Sequence, residues 1–166
     1  AKGFGVDPVY TILESIGMNS IMVEIGGEVR TKGKNRKNEP WVIAVETPNL
    51  GSAGNETINW AVPLENKAMA TSGDYRNYYE IDGIRYSHEI DPRTGYPAQT
   101  GVASATVLAS NCMDADALAT ALIIMGRGLG LQLVEKLDGV EAFLILREGN
   151  DNYRTIKSSG MEINTL

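Results

Sequence analysis

Short apolar segments that end in glycine-, asparagine- or proline-containing turns fill most of this sequence, and they constrain the fold more than any other feature. Their length, alternation and residue types are those of β-strands. The predicted strands cover residues 19–25, 28–32, 41–46, 57–64, 78–82, 84–88, 102–109, 140–147 and 153–157. A sequence with this many short strands favours antiparallel pairing over a parallel sheet with helical crossovers.

Three of the expected strand pairs follow directly from the turns between them. Residues 28–32 and 41–46 are predicted to form a hairpin joined by the basic loop Lys32–Lys37. Residues 78–82 and 84–88 form a second hairpin across Asp82-Gly83, a pair of residues that accepts positive φ at low cost. Residues 153–157 are expected to pair back on residues 140–147 through a polar turn.

Helices are predicted in three places and complete the fold class. Asp7 before Pro8 indicates an N-cap and a first helical residue, and Gly17 indicates the end of that helix. The predicted helices run from Asp7-Pro8 to Gly17, from Asn111 or Asp114 to about Gly126, and from Gly130 to Leu137. Antiparallel strands with helices packed on one side predict an α+β fold, and 166 residues without a linker predict a single domain over residues 1–166.

Charge and composition exclude several functions. A net charge of −6 argues against a nucleic-acid partner, and the basic run at residues 32–37 is expected to be a solvated loop. No uninterrupted apolar run reaches the roughly 18–20 residues that span a bilayer, so no transmembrane segment is predicted. A single cysteine, Cys112, excludes an internal disulfide and a metal site with several thiolate ligands.

His88 is the only histidine and a candidate catalytic group. It lies at the end of a predicted strand, directly before a turn that Pro92 and Gly95 shape. An imidazole titrates near neutral pH and can take a proton from an attacking hydroxyl. The alternative is a structural histidine whose ring braces the turn, with Asp91 as part of the same brace, and the residues alone leave both readings open.

Asp116 and Thr120 are candidate metal ligands. They stand at positions i and i+4 of the predicted second helix, and so lie on one face of it. A carboxylate and a hydroxyl are hard oxygen donors, which suit Mg²⁺ better than Zn²⁺. The alternative is a solvated Asp116 beside a Thr120 that only packs. Together with a histidine earlier in the chain, however, the pair suggests phosphate chemistry on a bound magnesium ion.

Two weaker features point to a ligand. Gly26-Gly27 follows an apolar strand and would let the backbone approach a ligand closely, although tight turns use the same pair. Lys2 could neutralise phosphate or ribose oxygens, although a lysine at this position is often only solvated. The bend Thr71–Asp74 could line a pocket or simply turn the chain.

The chain resembles the ApbE family, the FAD:protein FMN transferases. Five motifs recur there in the same order and span nearly the whole chain: residues 2–7, residues 23–30, residues 70–75, His88–Pro97 and residues 114–121. The resemblance implies a T-fold-like α+β architecture with FAD in a cleft and a magnesium ion on the FAD pyrophosphate. It also implies that a threonine or serine hydroxyl of a partner protein receives FMN and that AMP leaves.

The same resemblance assigns expected roles to residues. Asp116 and Thr120 would be Mg²⁺ ligands, Lys2 and Ile90 would contact FAD, and His88 would act as a base or stabilise the transition state. Gly26 and Gly27 would approach the nucleotide through their backbone. Some relatives carry a carboxylate where this chain has Ala119.

The resemblance also sets expectations about the whole protein. The chain corresponds to the C-terminal part of such a transferase, so the N-terminal part of the family is expected to be missing. The expected acceptor is a flavoprotein subunit of a redox complex, and relatives are often periplasmic lipoproteins of the inner membrane. Two alternatives stay open: a magnesium-dependent FAD pyrophosphatase that yields FMN and AMP, and a flavin-binding module or fragment without activity.

Overall fold

The computed structural model describes residues 1–47, 57–74, 78–81, 84–148 and 152–165. It forms the predicted mixture of antiparallel sheets and helices. In chain order the elements are α1 (Lys2–Ser15), β1 (Ile21–Ile25), β2 (Glu28–Lys32), β3 (Trp41–Thr47), β4 (Thr57–Leu64), β5 (Ala68–Gly73), β6 (Tyr78–Ile81), β7 (Ile84–Ser87), β8 (Ile90–Asp91), β9 (Tyr96–Pro97), β10 (Val102–Ala109), α2 (Cys112–Val134), β11 (Glu141–Glu148), β12 (Asn152–Lys157) and β13 (Asn164–Thr165).

A six-stranded antiparallel sheet forms the centre of the molecule. Its strand order is β1-β2-β5-β10-β11-β12. Every residue of β10 is buried, because this strand has a neighbour on each side and a layer of structure on each face. The small residues of β10 allow those layers to approach closely.

The two faces of the main sheet carry different layers. Helix α2 packs on β5 and β10 through alanine, leucine and isoleucine side chains such as Ala119, Leu122 and Ile123. The three-stranded sheet β13-β4-β3 covers the opposite face, where the rings of Trp60 and Phe143 meet with centroids 5.2 Å apart. The predicted α+β class, with its helices on one side of the sheet, is therefore confirmed.

The predicted hairpin of residues 28–32 with residues 41–46 is wrong. β2 pairs with β1 through a two-residue turn, Gly26-Gly27, whose φ angles are +60° and +100°. Two consecutive positive φ angles are typical of the tightest hairpin turns, and glycine adopts them without strain. β3 instead pairs with β4 in the second sheet, so the basic loop connects two sheets.

The start of α1 also differs from the prediction. The helix begins at Lys2, and Pro8 lies inside it. Asp7 does not cap its own helix. Its carboxylate accepts hydrogen bonds from the backbone N–H groups of Cys112 (3.0 Å) and Met113 (2.9 Å), the first residues of α2. The predicted N-cap role of Asp7 in its own helix is therefore wrong, and the carboxylate instead satisfies N–H groups at the start of a helix that is distant in sequence.

The second and third predicted helices form one element, α2, with a break inside it. Asn111 is the N-cap, and its side chain accepts a hydrogen bond of 2.8 Å from the Asp114 N–H. At Gly126 the backbone leaves helical geometry, with φ 75° and ψ 171°. The Thr100 hydroxyl donates to the Ile123 carbonyl at 2.6 Å and satisfies one of the acceptors that the break frees.

The smaller pairings largely follow the sequence. β6 pairs with β7, and β11 pairs with β12, as predicted. The turn residues Asp82 and Gly83, and Tyr75 of the third family motif, lie outside the described residues. The strands β5, β8, β9 and β13 were not predicted. The bend expected at residues 71–74 is wrong, because residues 71–73 belong to β5, whose small and polar residues lack the usual strand pattern. The other three strands have only two residues each, which is too short for a pattern.

Helix α2 is also long and apolar enough to cross a membrane, judged by its length and composition. Single polar residues interrupt its sequence, so it contains no uninterrupted apolar run of the length that predicts a transmembrane segment. Here one face of α2 packs on β5 and β10, and its buried residues belong to the main core. A long apolar helix with one face packed on a sheet is typical of a protein core.

Replacing Gly126 with alanine is expected to destabilise the protein by about 1–3 kcal/mol, because its φ and ψ lie in a region that is nearly exclusive to glycine. The new Cβ would also lie 3.3 Å from the Thr100 Cβ. Gly128→Ala is the matched control: Gly128 has no positive φ and an added Cβ would touch nothing within 4 Å. That variant should be more stable than wild type by about 0.5–1 kcal/mol. Urea unfolding measures both, and equal stability of the two variants would contradict the strained geometry.

Candidate functional site

A cleft of about 700 Å³ opens where the main sheet splits. The pairing of β2 with β5 ends at Val29 and Met69, although β5 continues to Gly73. The lining residues of the cleft come from α1, the β1–β2 hairpin, β3, β5, α2 and the segment after β7. This volume is within the range that holds a cofactor-sized ligand.

Six of the seven residues singled out in the sequence line this one cleft. They are Lys2, Gly26, Gly27, His88, Asp116 and Thr120. Ile90 does not line the cleft; it is half-exposed on the short strand β8. The structure thus brings together residues from distant parts of the chain, whereas the roles expected for them, and the FAD contact expected at Ile90, remain predictions.

The face of α2 that carries Asp116 and Thr120 is turned toward the cleft. The Thr120 Oγ1 lies 2.9 Å from the Ser72 Oγ of β5 and 3.4 Å from the Asp116 carbonyl oxygen. The Asp116 Oδ2 accepts a hydrogen bond of 2.9 Å from the Gly3 N–H, and the Ala1 nitrogen lies 3.1 Å from it. Ser72 therefore places a further hydroxyl beside Thr120. The sequence alone had left open whether residues 71–74 line a pocket.

The donor set suits a magnesium ion that keeps several ligands from outside the chain. Asp116, Thr120 and Ser72 offer only hard oxygens, which Mg²⁺ prefers. Within the described ranges, no group of three His, Cys, Asp or Glu side chains is arranged to hold a metal. Such a partial set fits Mg²⁺, which is usually bound by one or two carboxylates together with water and phosphate oxygens.

Lys2 is held over the β1–β2 turn. Its Nζ donates to the Gly26 carbonyl at 2.8 Å and forms an ion pair of 2.8 Å, without hydrogen-bond geometry, with the Glu28 Oε2. Glu28 is 2% exposed. The tight turn therefore has a second effect: it places a carbonyl and a buried carboxylate where they position the ammonium group at the cleft.

Glu89, which the sequence reasoning did not single out, lines the cleft beside His88. The His88 Nδ1 lies 3.3 Å from the Glu89 Oε2, and the glutamate side chain is only 5% exposed. The Ser87 hydroxyl donates to the same carboxylate oxygen. The sequence offered one signal for Glu89, a carboxylate directly after the histidine. The burial of that carboxylate and its orientation toward the imidazole depend on the fold.

The contacts of Asp74 and Cys112 indicate structural roles for both residues. Asp74, at the end of β5, accepts two hydrogen bonds from Arg147, at 2.9 and 2.8 Å, and these raise the pKa of the guanidinium. Burial, with the nearby Asp7 carboxylate, raises the pKa of the Cys112 thiol to about 12. At neutral pH this thiol is protonated, so it is not a nucleophile.

Fold and cleft define a mixed α+β domain with a cofactor-sized cleft that is lined by hydroxyls, carboxylates, a lysine and a histidine. The sequence profile of the ApbE family matches residues 1–144. The FAD:protein FMN transferase of Haemophilus influenzae is 48% identical over 159 residues, which cover 96% of this chain and 44% of that protein. The FAD:protein FMN transferase of Escherichia coli is 33% identical over 154 residues, 93% of this chain and 42% of that protein.

Solved structures agree with these matches. The flavin transferase ApbE from Vibrio cholerae superposes with a TM-score of 0.79 at 43% identity, covering 95% of this chain and 48% of that one. The ApbE protein from Thermotoga maritima gives a TM-score of 0.78 at 36% identity, covering 95% and 49%. This chain belongs to the ApbE family. It spans about half the length of the relatives that it matches.

Replacing Gly3 with alanine is expected to separate α1 from α2 and to disturb Asp116. An added Cβ would lie 2.3 Å from the Cys112 carbonyl oxygen and 2.6 Å from the Asp116 Cβ. Overpacking of this kind costs about 1–3 kcal/mol. Gly5→Ala in the same helix is the control, because its nearest contact would be an ordinary 3.5 Å to the Ile25 Cδ1. Chemical denaturation compares them, and a Gly3→Ala variant as stable as Gly5→Ala would refute this close helix contact.

Proposed function

We propose that this protein transfers FMN from FAD to a threonine or serine hydroxyl of an acceptor protein, with release of AMP, in a Mg²⁺-dependent reaction. The observation that carries the proposal is that Asp116 and Thr120, on one helical turn, share a cleft with Lys2 and His88 in a chain of the ApbE family. Relatives at 48% and 33% identity are named FAD:protein FMN transferase.

The charge of the cleft supports the dependence on a cation. The carboxylates among its described lining residues outnumber the single lysine, and they are Glu24, Glu28, Glu46, Glu89 and Asp116. The pyrophosphate of FAD would therefore meet repulsion unless a cation accompanied it. When bound, Mg²⁺ would neutralise charge on the pyrophosphate oxygens. Asp116, Thr120 and Ser72 are the residues that would hold it.

The side chains of this protein would then supply orientation and proton transfer. The imidazole of His88 accepts the proton of the acceptor hydroxyl while the hydroxyl oxygen bonds to the phosphorus on the FMN side. The bond from that phosphorus to the bridging oxygen breaks, and its electron pair leaves with AMP. Lys2, held by Gly26 and Glu28, presents its positive charge to the same anionic ligand.

The acceptor is proposed to be a flavoprotein subunit of a redox complex. The same arrangement would also serve a second reaction, in which water replaces the acceptor hydroxyl and FAD is hydrolysed to FMN and AMP. The net charge of −6 argues against a nucleic acid as the acceptor.

Incubation of the protein with FAD, Mg²⁺ and a candidate acceptor protein tests the proposed function. The expected result is flavin fluorescence that stays on the denatured acceptor, together with an equal amount of AMP. AMP release without a labelled acceptor would indicate the hydrolase instead. FAD binding with neither product would reject both reactions.

Asp116→Asn is expected to lower the rate of AMP formation at least about 100-fold, since the variant removes the charged donor of the proposed ion site while the amide oxygen still accepts from the Gly3 N–H. Asp114→Asn is the control: this carboxylate is exposed and contacts Asn111. Unfolding curves should show that Asp116→Asn keeps its fold. Full activity of Asp116→Asn at saturating Mg²⁺ would remove this residue from the mechanism.

A further inference from the structure

The carboxylate of Glu89, the residue after His88, is buried next to the His88 ring, and Ser87 on the other side of His88 contacts it. Glu89 is 6% exposed as a residue, although it lies between the exposed His88 and Ile90. A carboxylate removed from water is costly unless hydrogen-bond donors or positive charges surround it. In the part of the chain that the structure describes, the Ser87 hydroxyl donates to this carboxylate, and the His88 Nδ1 lies 3.3 Å from it without hydrogen-bond geometry.

The position of the carboxylate is fixed by its neighbours. The Ser87 Oγ donates to the Glu89 Oε2 and also accepts the Glu89 N–H at 3.1 Å. The Glu89 carbonyl accepts a hydrogen bond of 2.8 Å from the Ala98 N–H on the far side of the β8–β9 hairpin. Side chain and backbone of Glu89 are therefore both held, and the oxygen at the imidazole has little freedom to move.

We propose that Glu89 is a positioning residue that holds the His88 ring with its proton on Nδ1 and its lone pair on Nε2. The contact between the His88 Nδ1 and the Glu89 Oε2 is 3.3 Å. Contacts between catalytic groups are often this long or poorly aligned before the reacting complex forms and become hydrogen bonds only then. Because an ionised carboxylate only accepts hydrogen bonds, the neutral ring satisfies it only in the tautomer that carries its hydrogen on Nδ1.

This tautomer would determine what His88 can do. With Nδ1 occupied, Nε2 is the nitrogen that accepts a proton, and Glu89 stabilises the imidazolium that results. The proton moves from the acceptor hydroxyl to Nε2, and the carboxylate of Glu89 stays ionised throughout. The catalytic part of this inference rests on the proposed function, but the position of the ring proton does not.

Nuclear magnetic resonance tests the ring proton directly, because His88 is the only histidine. Histidine labelled with ¹⁵N gives a single pair of ring signals, whose long-range proton couplings identify the protonated nitrogen. At a pH where the ring is neutral, wild type should carry the proton on Nδ1. Glu89→Met should return the ring to the Nε2-protonated form that free histidine favours. Glu28→Met removes another buried cleft carboxylate and should leave the His88 tautomer unchanged.

The activity of Glu89→Met gives a second readout. We expect kcat for AMP formation to fall at least about tenfold, with a much smaller change in KM for FAD, as for loss of a general base's orienting partner. An Nε2-protonated ring in wild type overturns the proposal even if Glu89→Met does not fold. An unchanged tautomer in a folded Glu89→Met also overturns it. Nδ1 protonation in a wild-type protein that forms no AMP would instead reject the proposed function and leave the tautomer assignment standing.

Discussion

The close approach of α1 to the first turns of α2 is the contact on which the cleft depends. Gly3 lies so near the Cys112 carbonyl and the Asp116 side chain that no larger residue fits. A few residues later, Asp7 satisfies the first backbone N–H groups of α2 and pairs with Arg30 at 2.6 Å. One short helix thus fixes the start of α2 and the orientation of Asp116, and it ties both to β2.

Much of the fold could be predicted from the sequence because most strands keep their own pattern. The hairpin error arose where two glycines were interpreted as a backbone approach to a ligand, although they also form the turn between β1 and β2. The position of the α1 N-terminus was missed for a related reason. An aspartate before a proline signals a cap, but the sequence does not say which helix is capped.

The candidate site was predictable where spacing along one element decides it. Asp116 and Thr120 share a face because they stand one helical turn apart, and the structure turns that face toward the cleft. Ser72 was left open as part of a bend that could line a pocket, and Glu89 was not found, since their positions depend on contacts across elements and on burial. Ile90 shows the opposite case: a position suggested by family resemblance lies outside this cleft.

The segment that follows His88 contacts α2 just before the break at Gly126. Thr100 donates to the Ile123 carbonyl, and the Arg93 guanidinium lies 3.5 Å from the Ile124 carbonyl oxygen. Both residues belong to the segment that follows His88, so this segment is hydrogen-bonded to the same helix that carries Asp116 and Thr120. These contacts therefore connect the segment after the imidazole to the middle of the helix that carries the oxygen donors. Loss of these hydrogen bonds would misalign the His88 imidazole with Asp116 and Thr120, although none of these three residues would be changed.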